Sequence, residues 1–141
     1  MGSCMSCLKD ISLEKEMTEY FSALKDTMLP LYLHLYMILK DKPEEKEMGG
    51  SIDIAKKAIT DAQCQIEQHP KNIKNNRRII HDMRNQISPV FGYLDLLLFD
   101  LTDQKWKKDI EQCIMQAREK LDLLGAFIRQ DEATKLESLH D

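Results

Sequence analysis

Three observations predict an all-α protein built as an antiparallel four-helix bundle. Apolar residues recur every three or four positions through most of the chain. No run alternates with the Val, Thr and aromatic enrichment of a strand. Only four prolines and five glycines punctuate 141 residues, which leaves few turns. That length suits one helical core and is short for two ordinary domains.

Each helix has its own local signals. Ser12 suits an N-cap, and Glu14 and Glu16 fall in the first turn, where the helix dipole favours acids. Apolar residues at 13, 17, 20, 21, 24, 28, 31, 35, 38 and 39 carry this helix over 12–40, after a flexible segment 1–11. Residues 41–50 hold Pro43, Gly49, Gly50 and a run of charges, the composition of a loop. Ser51 suits the cap of a helix over 51–68, with Ile52, Ala55, Ile59, Ala62 and Ile66 on one face. Pro70 fits the first turn of a new helix and not the interior of an old one, so His69-Pro70 closes an N-terminal hairpin spanning 12–69.

The helix over 70–100 is the longest signal. Its apolar residues stand at 73, 80, 83, 87, 90, 94, 97 and 101, a heptad seam once past a gap at Asn76. Leu101 to Trp106 turns the chain, and Ile110, Ile114, Ala117, Leu121, Leu124 and Ile128 mark a last helix over 103–130. Residues 70–130 thus form a second hairpin, and 131–141 a fraying tail. The predicted core contains Met83, Ile87, Val90, Leu94, Leu97, Ile114, Leu121 and Leu124.

A slide of 59 residues lays Leu24-Lys25-Asp26-Thr27-Met28-Leu29-Pro30 over Met83-Arg84-Asn85-Gln86-Ile87-Ser88-Pro89, and Leu35 over Leu94. Two readings stand. Either two like hairpins are fused into a single-chain pseudo-dimer, or the first hairpin is an extension and two chains pair through 70–130 as a homodimer.

Chemistry concentrates off the seam, at His81. Arg77, Arg78, Arg84 and Asn85 lie three or four residues away on the same helix face, with Lys74 and Ser88 a turn further. This imidazole is therefore expected in water among cations. Its neighbour Asp82 can hold one ring nitrogen while the other acts as a nucleophile. The bland alternative is a solvated helix face carrying an idle histidine.

His81-Asp82-Met83-Arg84-Asn85, continued by Gly92-Tyr93-Leu94-Asp95-Leu96-Leu97, resembles the phosphoacceptor box of the dimerisation and histidine phosphotransfer (DHp) domain of sensor histidine kinases. The resemblance covers residues 70–130. One position departs: the family usually has Pro after the Asn, and here Gln86 follows Asn85, which moves any helix bend to Pro89. The resemblance implies His81 as nucleophile through the ring nitrogen remote from the backbone, Asp82 as the group that orients and polarises the ring, and Asn85 as holder of a water that dephosphorylates a partner. Arg77, Arg78 and Arg84 would complement phosphoryl charge, and Gln86 and Ser88 would line a docking face. It implies a cytoplasmic phosphotransfer or adaptor protein of two-component signalling, working with a response-regulator receiver domain or a histidine kinase. Mg would come with the receiver, and this chain would hold no cofactor of its own.

The five glycines, Gly2, Gly49, Gly50, Gly92 and Gly125, make no phosphate-cradling loop, and the sequence stops soon after its last helix, so autonomous use of ATP is not expected. Two other roles are consistent with the same residues: a non-catalytic helical module regulating a kinase or receiver by occupancy, and a fragment of a full sensor kinase. A net charge of −4 does not suggest bulk nucleic-acid binding. Cys4 and Cys7 form one Cys-x-x-Cys pair with no second pair to complete a zinc site, so all four cysteines are expected as reduced thiols and no metal site is expected. The longest apolar stretch, Met28 to Leu39, is broken by Pro30 and His34 and is too short to span a membrane. Gly2 with Ser6 meets the minimal myristoylation pattern, with Cys4 and Cys7 as palmitoylation neighbours. The competing reading of Met-Gly-Ser is a vector-derived start.

Overall fold

The computed structural model describes the backbone of residues 2–42 and 44–140 and the side chains of 15–42 and 44–128. Four helices follow in order: α1 (Gly2–Asp41), α2 (Lys46–Gln68), α3 (Ile73–Asp100) and α4 (Gln104–His140), with no strand among the described residues. Contacts at opposite ends fix them as antiparallel. Thr18 reaches Glu67 and Lys56 reaches Tyr36 across α1–α2. Arg84 meets Asp122 and Arg118 meets Asp95 across α3–α4. Tyr20 stacks near Phe127 and His34 near Trp106 across α1–α4.

All four helices enclose one core. Phe21, Leu24, Met28, Leu31, Leu35, Ile52, Ile59, Ile66, Met83, Ile87, Leu94 and Ile110 are its largest fully buried side chains. A fully buried Leu or Ile contributes about 1.5–3 kcal/mol over its exposed form, so the seams hold the bundle together far more than the few surface ion pairs do. Of the predicted core only Leu97 is half-buried, packed at the rim. No described helix is long and apolar enough to cross a membrane.

The loops explain where the boundaries differ from expectation. Helix α1 runs from Gly2, through the segment 1–11 read as flexible, so Ser12 is interior and not a cap. Gly2, Cys4 and Cys7, raised above for lipidation, fall where no side chain is described. Helix α2 begins at Lys46, five residues ahead of Ser51. Burial of Met48 draws that first turn onto the core, and the Ser51 hydroxyl donates back to the Met48 carbonyl, satisfied inside the helix and not at a cap. Helix α3 starts at Ile73, with the Asn72 side chain accepting from the Asn75 N–H. Asn76, the gap in the seam, is 1% exposed and donates to the carbonyls of His69 and Pro70, closing the α2–α3 loop. Asp103 caps α4 by accepting from the N–H groups of Lys105 and Trp106, and that helix continues to His140 through the stretch expected to fray.

The two hairpins repeat one another. At the offset that lays Leu24 over Met83, buried Met17, Phe21, Met28, Leu31, Tyr32 and Leu35 fall on buried Asn76, Ile80, Ile87, Val90, Phe91 and Leu94. Pro30 and Pro89 coincide inside their helices. At an offset of 62, Met48, Ile52, Ala55, Ile59, Ala62 and Ile66 fall on Ile110, Ile114, Ala117, Leu121, Leu124 and Ile128, every one buried. The packing obeys the same twofold relation: α1–α4 matches α2–α3 as the larger faces, α1–α2 matches α3–α4, and among the described residues α1 and α3 are the pair that touch across the diagonal. The first hairpin is half of the bundle and no appendage.

Candidate functional site

His81 projects from the outer face of α3 with its side chain 74% exposed, because the seam to either side, Ile80 and Met83, turns inward. Asp82 Oδ1 stands 3.7 Å from His81 Nδ1, and Asn85 Nδ2 stands 3.5 Å from the same nitrogen. Both polar neighbours therefore attend Nδ1. The tautomer that carries its proton on Nδ1, facing the Asp82 carboxylate, leaves the Nε2 lone pair pointing away from the backbone, and in it Asn85 turns its amide oxygen, not its N–H, toward Nδ1.

Beside the imidazole lies a hollow of about 220 Å³, lined by Arg77, Ile80, His81, Arg84, Gly125 and Ile128. At 100° per residue, Arg77 and Arg84 lie on the α4 side of His81, and Arg78, Asp82 and Asn85 on the other. Gly125 and Ile128 face this hollow from α4, and Gly125, lacking a side chain, leaves the space open. Arg84 is engaged as well: it donates to Asp122 at 2.9 Å.

Below the hollow, α3 and α4 form a second concavity lined by Arg84, Ser88, Phe91, Gly92, Asp95, Arg118, Leu121 and Asp122. The Arg118 guanidinium lies 5.2 Å from the Phe91 ring centroid and 3.7 Å from Asp95 Oδ2. Ser88 lines this groove, its hydroxyl donating to the Arg84 carbonyl. Gln86 does not line it: five residues from His81 it sits roughly 140° round the helix, on the flank away from α4. Asp95, Arg118, Asp122 and Gly125 were missed from sequence.

The other reactive groups fit this chemistry less well. Burial, helped by Asp109, pushes the Cys113 thiol up, away from thiolate chemistry, and Cys64 is a free thiol in the first hairpin. Among the described residues no group of His, Cys, Asp and Glu is placed to hold a metal ion. Compared with known proteins, the chain matches no family model, no curated protein and no solved structure.

Proposed function

We propose that this chain is a phosphotransfer or adaptor protein of two-component signalling, in which His81 exchanges a phosphoryl group with a receiver-domain aspartate or a partner histidine kinase. The observation that carries the reading is the arrangement at His81: an exposed ring, Asp82 and Asn85 both at Nδ1, a free Nε2, and Arg77 and Arg84 at the edge of an open hollow. In the forward step the Nε2 lone pair attacks the phosphorus of the partner's aspartyl phosphate. The N–P bond forms as the acyl O–P bond breaks, and the partner's carboxylate departs with the electron pair. The Nδ1 proton stays in place on the side of the ring facing Asp82, whose charge offsets the cation developing on the ring. Such transfer is chiefly positioning and electrostatics, which two arginines and an aspartate supply. Any Mg ion would come with the receiver.

The groove of Ser88, Gly92, Phe91 and Arg118 continues from the hollow and gives a receiver a surface on which to seat its phosphorylated loop. Asn85, exposed and adjacent to the ring, is positioned to hold a water against a partner's acyl phosphate. All five glycines lie within helices, so among the described residues there is no glycine-rich loop to cradle a nucleotide, which supports a protein as the donor.

The test is transfer of label. Incubated with labelled ATP alone the chain stays unlabelled; incubated with a cognate kinase or phosphorylated receiver it acquires label, and His81→Gln does not. Label from ATP alone would overturn the donor assignment. Absence of label from every cognate donor, with binding retained, would favour regulation by occupancy.

A further inference from the structure

The twofold relation places a sister groove between α1 and α2. It is lined by Lys25, Leu29, Tyr32, Lys56, Ile59 and Thr60, which at the two offsets are the counterparts of Arg84, Ser88, Phe91, Arg118, Leu121 and Asp122. The cation over an aromatic ring is repeated too: Lys56 Nζ lies 5.2 Å from the Tyr32 centroid, as Arg118 does from Phe91. The phosphotransfer groups are not repeated. Ser22 replaces His81, and Gln63, which donates to Glu67, occupies the place of Gly125.

The surface chemistry has diverged in one direction. Polar or small Ser88, Gly92 and Asp95 become Leu29, Leu33 and Tyr36, an apolar stripe one helical turn apart on α1, with Leu29 and Leu33 more than half exposed. The carboxylates that neutralise Arg84 and Arg118 are also gone. Asp122 becomes Thr60, and the partner of Lys56 is now the Tyr36 hydroxyl at 3.2 Å. Among the described residues neither Lys25 nor Lys56 pairs with a carboxylate. In the groove floor the Tyr32 hydroxyl has no hydrogen-bond partner.

We infer that this groove is a docking surface for an acidic amphipathic helix of a partner protein. An apolar stripe between two uncompensated ammonium groups matches a helix whose apolar face is flanked by Asp and Glu. A symmetric pairing with a second copy would set Lys25 and Lys56 against their own counterparts, which like-charge repulsion opposes. The surface goes beyond phosphotransfer: the chain carries one chemical face and one anchoring face, related by its internal twofold.

The test uses the full chain and a fluorescein-labelled helical peptide of about five turns, with Leu on one face and Glu on both flanks, against the same peptide with Lys for Glu. Fluorescence anisotropy is expected to show the acidic peptide binding and the basic one not. Leu33→Asp should weaken binding about 30-fold or more, as loss of a central apolar contact does. Lys56→Glu should weaken it about tenfold or more by charge reversal. Arg118→Glu and His81→Gln should leave it unchanged, which separates this surface from the phosphotransfer face. No binding of the acidic peptide, equal binding of the basic one, or indifference to both Leu33→Asp and Lys56→Glu would overturn the inference. So would a concentration-dependent doubling of mass that Leu33→Asp abolishes, since the occupant would then be a second copy.

Discussion

Arg84 Nη2 donates to Asp122 Oδ1 at 2.9 Å, tying α3 to α4 beside the hollow that holds His81. The bond gives this arginine a fixed place at the mouth of the hollow. Because the pair is exposed, breaking it should cost little: Asp122→Ala is expected to lower stability by less than about 1 kcal/mol in urea denaturation. The same change should slow transfer to or from a receiver, measured as initial rate of label exchange, since Arg84 then loses its set position.

Asn76 is the opposite case. Buried and donating to two loop carbonyls, it should be costly to replace even by a residue of similar size. Asn76→Leu leaves the His69 and Pro70 carbonyls without their donor and is expected to destabilise by about 1–3 kcal/mol, read from the urea midpoint.

The twofold packing makes a paired prediction. Leu35 and Leu94 occupy equivalent positions and both are fully buried. Leu35→Ala and Leu94→Ala should each cost about 2–5 kcal/mol, and by similar amounts, because each opens the same kind of cavity. Since the chain closes both hairpin faces on itself, light scattering should give the monomer mass of 16.5 kDa at all concentrations. A constant mass of twice that would contradict the fused pseudo-dimer.

At the other end of α1 the Trp106 indole N–H donates to His34 Nδ1 at 2.9 Å, which requires that nitrogen unprotonated. Burial holds the His34 pKa below its ordinary 6.5, while Asp109 pulls the opposite way. The unfolded chain therefore takes up this proton first as pH falls. The stability linked to His34 is complete above about 6.5 and is lost progressively as pH drops through 6.5 toward the folded value. Urea midpoints followed by Trp106 fluorescence should fall between about pH 7.5 and about pH 5.5, and His34→Gln should flatten that part of the change.

Much of the bundle was legible because burial follows heptad spacing: the seam from Met83 to Leu94 reads directly as a core. Helix starts were less legible. Ser51 looks like a cap by type, yet tertiary burial of Met48 extends the helix past two glycines. The repeat was visible at one offset only, because the path from Leu94 to Ile110 is three residues longer than that from Leu35 to Met48, and a single slide loses the second helices. At the site, His81, Asp82 and Asn85 are neighbours on one helix, so sequence could name them. Gly125, Asp122 and Arg118 arrive from α4, and only the packing of α3 on α4 brings them in. Gln86 shows the converse: next to Asn85 in sequence, it sits on the flank of α3 away from the α3–α4 groove.

The central claim is that His81 Nε2 is the phosphoacceptor. The most direct measurement is to phosphorylate the chain with a cognate partner, map the modified residue by mass spectrometry under neutral conditions, and assign the ring nitrogen by ³¹P NMR. The account predicts an acid-labile phosphoryl group on Nε2 of His81, absent from His81→Gln. A phosphoryl group on another residue or on Nδ1, or none from any cognate partner, would contradict it.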